Sequence, residues 1–102
     1  MKSKIKDEIK QELLELGFKV NSIGIVYWIE AIEYVKENSL AAWETMAIYA
    51  FIAKRYNSSI SRVERAMRFA IEPAIKNIQK RYKYYYKINT SNFLSLIRFQ
   101  QL

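Results

Sequence analysis

Two glycines and one proline in 102 residues leave this chain very little with which to turn. An all-β fold needs a turn signal roughly every ten residues. Here the breakers Gly17, Gly24 and Pro73 leave uninterrupted stretches of dozens of residues. Such stretches favour helices, and the length fits a single domain over residues 1–102. With 51% hydrophobic and 15% aromatic residues there is ample material for a core.

The missing residue types exclude whole classes of chemistry. Without cysteine there is no disulfide or thiolate metal site. Without histidine, the commonest general base and metal ligand is gone, and serine or cysteine triads lose their base. There is no glycine-rich phosphate loop and no nucleophile elbow. The reading is therefore no enzyme and no cofactor. No apolar run reaches the ~20 residues of a membrane span, and the charged start MKSKIKDEIK is not a signal peptide. A soluble intracellular protein is expected.

Charge is distributed unevenly. Residues 1–37 hold six Lys/Arg and seven Asp/Glu, a balance of −1. Residues 38–102 hold eleven Lys/Arg against Glu44, Glu64 and Glu72, a balance of +8. One neutral and one basic part suit a polyanionic partner, although solubility alone also favours basic domains.

Periodicity sets the helices. Ile5, Ile9, Leu13 and Leu16 predict a helix over 4–16, with Gly17 as a left-handed cap. A second runs from about Ile23 to Glu37, with Val26, Ile29, Ile32 and Val35 inward. A third is expected from about Leu40 to Tyr56, with Trp43, Ala47, Ala50 and Phe51 on one side and Ile48 and Ile52 adjoining. After Asn57-Ser58-Ser59, with Ser59 or Ser61 as N-cap, a fourth carries the stripe Val63, Ala66, Met67, Ala70, Ile71, Ala74. Pro73 should kink it or force a restart. The conformation of 75–88 is left unassigned. Thr90 or Ser91 can cap a last helix packed through Phe93, Leu94, Ile97 and Leu102.

The informative stretch is YAFIAKRYNSSISRVERAMRFAIE, residues 49–72. Two helices joined by a short turn can lay the second in a DNA major groove if small residues let them cross closely. Ala53 is that small residue, with Ile52, Tyr56, Val63 and Ala66 holding the pair together. Asn57 tolerates the left-handed backbone of the turn. Ser59, Ser61, Arg62, Glu64, Arg65 and Arg68 then come forward. Arginine binds guanine bidentately, glutamate accepts from cytosine, and serines hold phosphates. The plainer alternative is a solvated face with an intrahelical Glu64–Arg68 pair.

IAKRYNSSISRVERAMRFAIE closely resembles the recognition region of the stage-zero sporulation protein A effector-domain family. That family's pattern is I-A-K-K-Y-N, then S-R-V-E-R-A-I-R-H-A-I-E. The likeness extends to LGFKVNSIGIVYWIEAI, with Gly17 and Gly24 at the family spacing, and to KINTSNFLSLI. It implies an all-α domain of about six helices around a helix-turn-helix at about 46–75, in a bacterial cytoplasmic, nucleoid-associated regulator. It implies binding of double-stranded DNA at TGTCGAA-type boxes, with copies in tandem. By position, Arg62, Glu64 and Arg65 would read bases. Lys54, Ser58, Ser59, Ser61 and Arg68 would hold phosphates.

Three departures qualify the carry-over. These 102 residues have no room for the family's phosphoacceptor receiver domain, which implies binding without phosphorylation control, unless the chain is a fragment of a longer regulator. Phe69 stands where the family has histidine. The segment after Pro73, implied in contact with the RNA polymerase sigma factor, is shorter and different, so transcription activation carries over least. The competing function is a protein-interaction module that modulates a full-length regulator or the polymerase.

Other features have plainer readings. The Tyr82, Tyr84, Tyr85 and Tyr86 cluster among Arg81, Lys83 and Lys87 could stack on bases or hold a phosphate backbone. The expectation is that some of these rings pack on the core. Trp28 and Trp43 are expected in the core. Glu30, Glu33 and Glu37, like Asp7, Glu8, Glu12 and Glu15, are expected on solvated faces.

Overall fold

The helices of this protein are separated by caps that the residues themselves supply. A computed structural model describes residues 2–38 and 45–100, with side chains over 4–38 and 45–96. Among them are six helices: α1 (Lys2–Leu16), α2 (Ile23–Glu37), α3 (Thr45–Arg55), α4 (Ile60–Ile71), α5 (Ile75–Tyr82) and α6 (Thr90–Gln100). The described residues contain no strand, and no helix is long and apolar enough to cross a membrane. The expected all-α architecture is what forms.

Gly17 closes α1 in left-handed backbone at φ 98°. The Gly17 amide donates to the Leu14 carbonyl and the Phe18 amide to that of Leu13, at 3.1 and 3.0 Å. This doubly bonded cap turns the chain back and buries Phe18. Pro73 has the effect expected of it: α4 gives way to a 3-10 turn over Glu72–Ala74 before α5 resumes. The unassigned 75–88 stretch is therefore helical to Tyr82 and irregular beyond it. Asn89, not Thr90 or Ser91, caps α6: its Oδ1 accepts from the Asn92 amide at 2.9 Å.

The core gathers around α2, whose buried residues include Gly24, Ile25, Tyr27, Trp28, Ala31, Ile32 and Val35. Of the expected inward set, Ile32 and Val35 are buried, while Val26 and Ile29 are only half-buried. Trp28 is fully buried and stacks edge-on against Phe18 and Phe93. Its indole N–H donates to the Met67 carbonyl of α4 at 2.8 Å. α2 and α4 cross so closely that a Cβ on Gly24 would lie 2.2 Å from the Ala66 carbonyl oxygen.

The face assigned to the third helix needs correction. Ala47 and Ala50 are exposed and Phe51 is half-buried, while Ile48, Tyr49, Ile52 and Ala53 are buried. The larger aliphatic pair Ile48 and Ile52 offers more apolar area than alanines, so it turns inward. Leu40 and Trp43 lie outside the described residues, as do Leu102 and the side chain of Ile97. Ile5, at the first turn of α1, is 43% exposed.

Candidate nucleic-acid interface

Two caps, back to back, make the turn between α3 and α4. Asn57 adopts left-handed backbone at φ 52°. Its amide donates to the Lys54 carbonyl and that of Ser58 to the Ala53 carbonyl, at 3.5 and 2.8 Å. Ser59 follows in extended backbone, and its hydroxyl accepts from the Arg62 amide at 3.2 Å. The expected roles of Asn57 and Ser59 as local structure-makers are met. Beneath the turn, Ile52, Val63 and Met67 are fully buried and Ala53 is nearly so. Ala66 is half-buried at the edge of the α2 crossing.

α4 separates its faces sharply. Val63, Met67, Ala70 and Ile71 point into the core. At about 100° per residue, the opposite arc carries Ser61, Arg62, Arg65, Arg68 and Phe69, with Arg65 near its centre. All five are exposed. Lys54 and Ser59 are exposed beside them, and Ser58 is half-buried in the turn. Glu64 stands apart on the flank, half-buried, with Oε2 3.4 Å from the Arg68 guanidinium. The intrahelical pair considered from spacing alone is thus formed. Phe69 is 54% exposed, and the Lys19 ammonium sits 4.9 Å from its ring centre.

The turn is also held from a distance by a residue that sequence reasoning placed on a solvated face. Glu30 of α2 is only 4% exposed. It accepts from Lys6 of α1 and from the Tyr56 hydroxyl, the latter at 3.1 Å, and lies 3.4 Å from the Arg55 guanidinium. Tyr56 also packs edge-on against Tyr27, with ring centres 5.5 Å apart. One carboxylate therefore joins α1, α2 and the end of α3. The hydrogen bond to Glu30 raises the Lys6 pKa above its usual value. Burial, reinforced by Glu30, raises that of Tyr56.

Glu33 is likewise buried, with Lys6 3.8 Å away, and only Glu37 of the three is exposed. The solvated-face expectation fails for Glu30 and Glu33 because α1 and α3 close over α2 on that side. No local pattern announces this, since Tyr56 lies 26 positions from Glu30. The tyrosine cluster divides as expected: Tyr82 and Tyr84 pack on the core, while Tyr85 and Tyr86 are exposed.

Chemically, this surface can meet an anionic, grooved partner. Three arginines leave one helix in a single outward arc, and the serine-rich turn sits at its beginning. Residues 9–95 match the family described as sporulation initiation factor Spo0A C terminal.

Proposed function

We propose that this chain, which belongs to the sporulation initiation factor Spo0A C-terminal family and is thereby a DNA-binding effector domain of the sporulation-regulator kind, reads TGTCGAA-type boxes by laying α4 in the major groove. Arg65 and Arg62 take guanine edges, and Glu64 takes a cytosine amino group. Lys54, Ser58, Ser59, Ser61 and Arg68 hold the backbone around them. Nothing in these roles calls for a phosphorylation step.

The observation that carries the reading is the exposed arc of Arg62, Arg65 and Arg68, set on a helix whose other face is locked into the core. A rigid helix with Arg62 and Arg65 exposed in its first two turns suits base reading, because fewer conformations are lost on binding.

Titration of the wild-type chain and Arg65→Ala against matched and scrambled duplexes tests it. Arg65→Ala should lose about 1–3 kcal/mol on the matched box and much less on the scrambled one. Equal losses on both duplexes would reduce Arg65 to a backbone contact and overturn the reading.

A further inference from the structure

After Glu72 the chain has no aspartate or glutamate, while Lys76, Lys80, Arg81, Lys83, Lys87 and Arg98 follow. Arg81 is neutralised by Glu12, 2.7 Å away. Lys83 and Lys87 are exposed and form no ion pair among the described residues. Both sit in the segment between α5 and α6.

That segment is well anchored. Lys83 ends α5 in left-handed backbone at φ 52°, a conformation that disfavours any side chain bearing a Cβ. The Tyr84 amide donates to the Gln79 carbonyl at 3.0 Å. Gln79 Nε2 donates to the Tyr86 carbonyl at 3.0 Å, and Asn92 Nδ2 to that of Lys87 at 2.8 Å. Ile88 is buried in the core. On this fixed backbone Tyr85 and Tyr86 are 72% and 75% exposed, more than any other large apolar side chain among the described residues.

The segment also borders the α4 surface. One cleft is lined by Glu64, Arg68 and Glu72 on one side and by Lys87, Asn89 and Ser91 on the other. Its two carboxylates make the cleft itself a poor seat for an anion. Arg68 and Lys87 are nonetheless exposed on opposite sides of it, so a polyanion lying along α4 and reaching Arg68 comes next to the loop.

We infer that residues 83–87 form a second contact with DNA, on the sugar–phosphate backbone flanking the stretch that α4 reads. Lys83 and Lys87 pair with phosphates. The Tyr85 and Tyr86 rings lie against sugars, with their hydroxyls toward phosphate oxygens. The inference rests on the reading of α4 above and extends its footprint to one side. Charge decides between DNA and a protein partner: the loop offers unpaired cations and amphipathic rings, and no carboxylate.

The test compares Lys83→Ala/Lys87→Ala, Tyr85→Ala/Tyr86→Ala and Arg65→Ala with wild type. The probes are a TGTCGAA-box duplex with long flanks and the same duplex cut back to the box, each titrated across a salt series. Thermal melts confirm that these exposed substitutions leave the fold intact. On the flanked duplex the lysine pair should lower the slope of log affinity against log salt by about 1.8, at 0.9 per lost phosphate contact. The tyrosine pair should weaken binding there with little change of slope. On the trimmed duplex both should match wild type, while Arg65→Ala weakens both. If the loop variants match wild type on both duplexes while Arg65→Ala does not, the inference is overturned and the loop is left to a protein partner. Failure of wild type to bind either duplex would instead bring down the α4 reading, and this inference with it.

Discussion

α2 and α4 pack against each other, yet they are built to opposite plans. α2 is apolar through most of its length and buries residues on several sides, including two glutamates. α4 confines its buried residues to one stripe and gives most of the rest of its circumference to serine, arginine and glutamate, with Phe69 exposed among them. The first pattern makes a hub, since a helix buried on several sides is held by several neighbours at once. The second makes a display, in which one face fixes orientation and the other is free for a partner. The Trp28–Met67 hydrogen bond and the glycine at the crossing join the two, so the hub sets the angle at which the display is held.

The comparison would break most visibly at Met67. A carboxylate there has no partner within the core, and an uncompensated buried charge costs about 3–5 kcal/mol. Met67→Asp should therefore be unfolded, or nearly so, in a thermal melt followed by circular dichroism. Wild-type stability would mean that the two faces of α4 are assigned the wrong way round.

Gly24→Ala probes the crossing itself. The added Cβ would fall 2.2 Å from the Ala66 carbonyl oxygen and 2.7 Å from the Ala70 Cβ, so the helices must separate. Overpacking of this kind costs about 1–3 kcal/mol, and contact with backbone puts the expectation at the upper end. Denaturant unfolding should show the loss, and DNA affinity should fall as α4 tilts. A neutral result would show that the crossing yields easily and that α2 does not set the angle.

Glu64→Ala should have the smallest effect on stability, because the half-exposed Glu64–Arg68 pair contributes at most about 0.5 kcal/mol. Its effect on binding sharpens the display side of the comparison. Loss of about 1–3 kcal/mol on the matched box, with little change on scrambled DNA, fits a base contact. A uniform gain in affinity on every duplex would mean that Glu64 only restrains Arg68 and repels phosphate.

Sequence alone determined α1, α2, the turn into α4, the caps at Gly17 and Ser59 and the face of α4, but neither the helical course of α5 nor the Asn89 cap of α6. Gly17, Asn57, Ser59 and Pro73 act on backbone within a few residues of themselves, and the Val63–Met67–Ile71 stripe repeats within a single helix. The exposed arginines were legible for the same reason, since whatever lies opposite an apolar stripe faces outward. The packed face of α3 was misread because alanine fits either side of a helix, and only neighbours decide which side is covered. Glu30 shows the same limit more strongly. Its spacing with Glu33 and Glu37 is that of a solvated face, and only the arrival of Lys6, Tyr56 and Arg55 from other helices makes it a buried anchor. From sequence Gly24 is only one of three breakers, and it is α4 laid across it that leaves no room there for a Cβ. The physical division is one of range: capping and periodicity are settled by bonds between near neighbours, whereas desolvation and close approach depend on atoms that only the folded chain brings together.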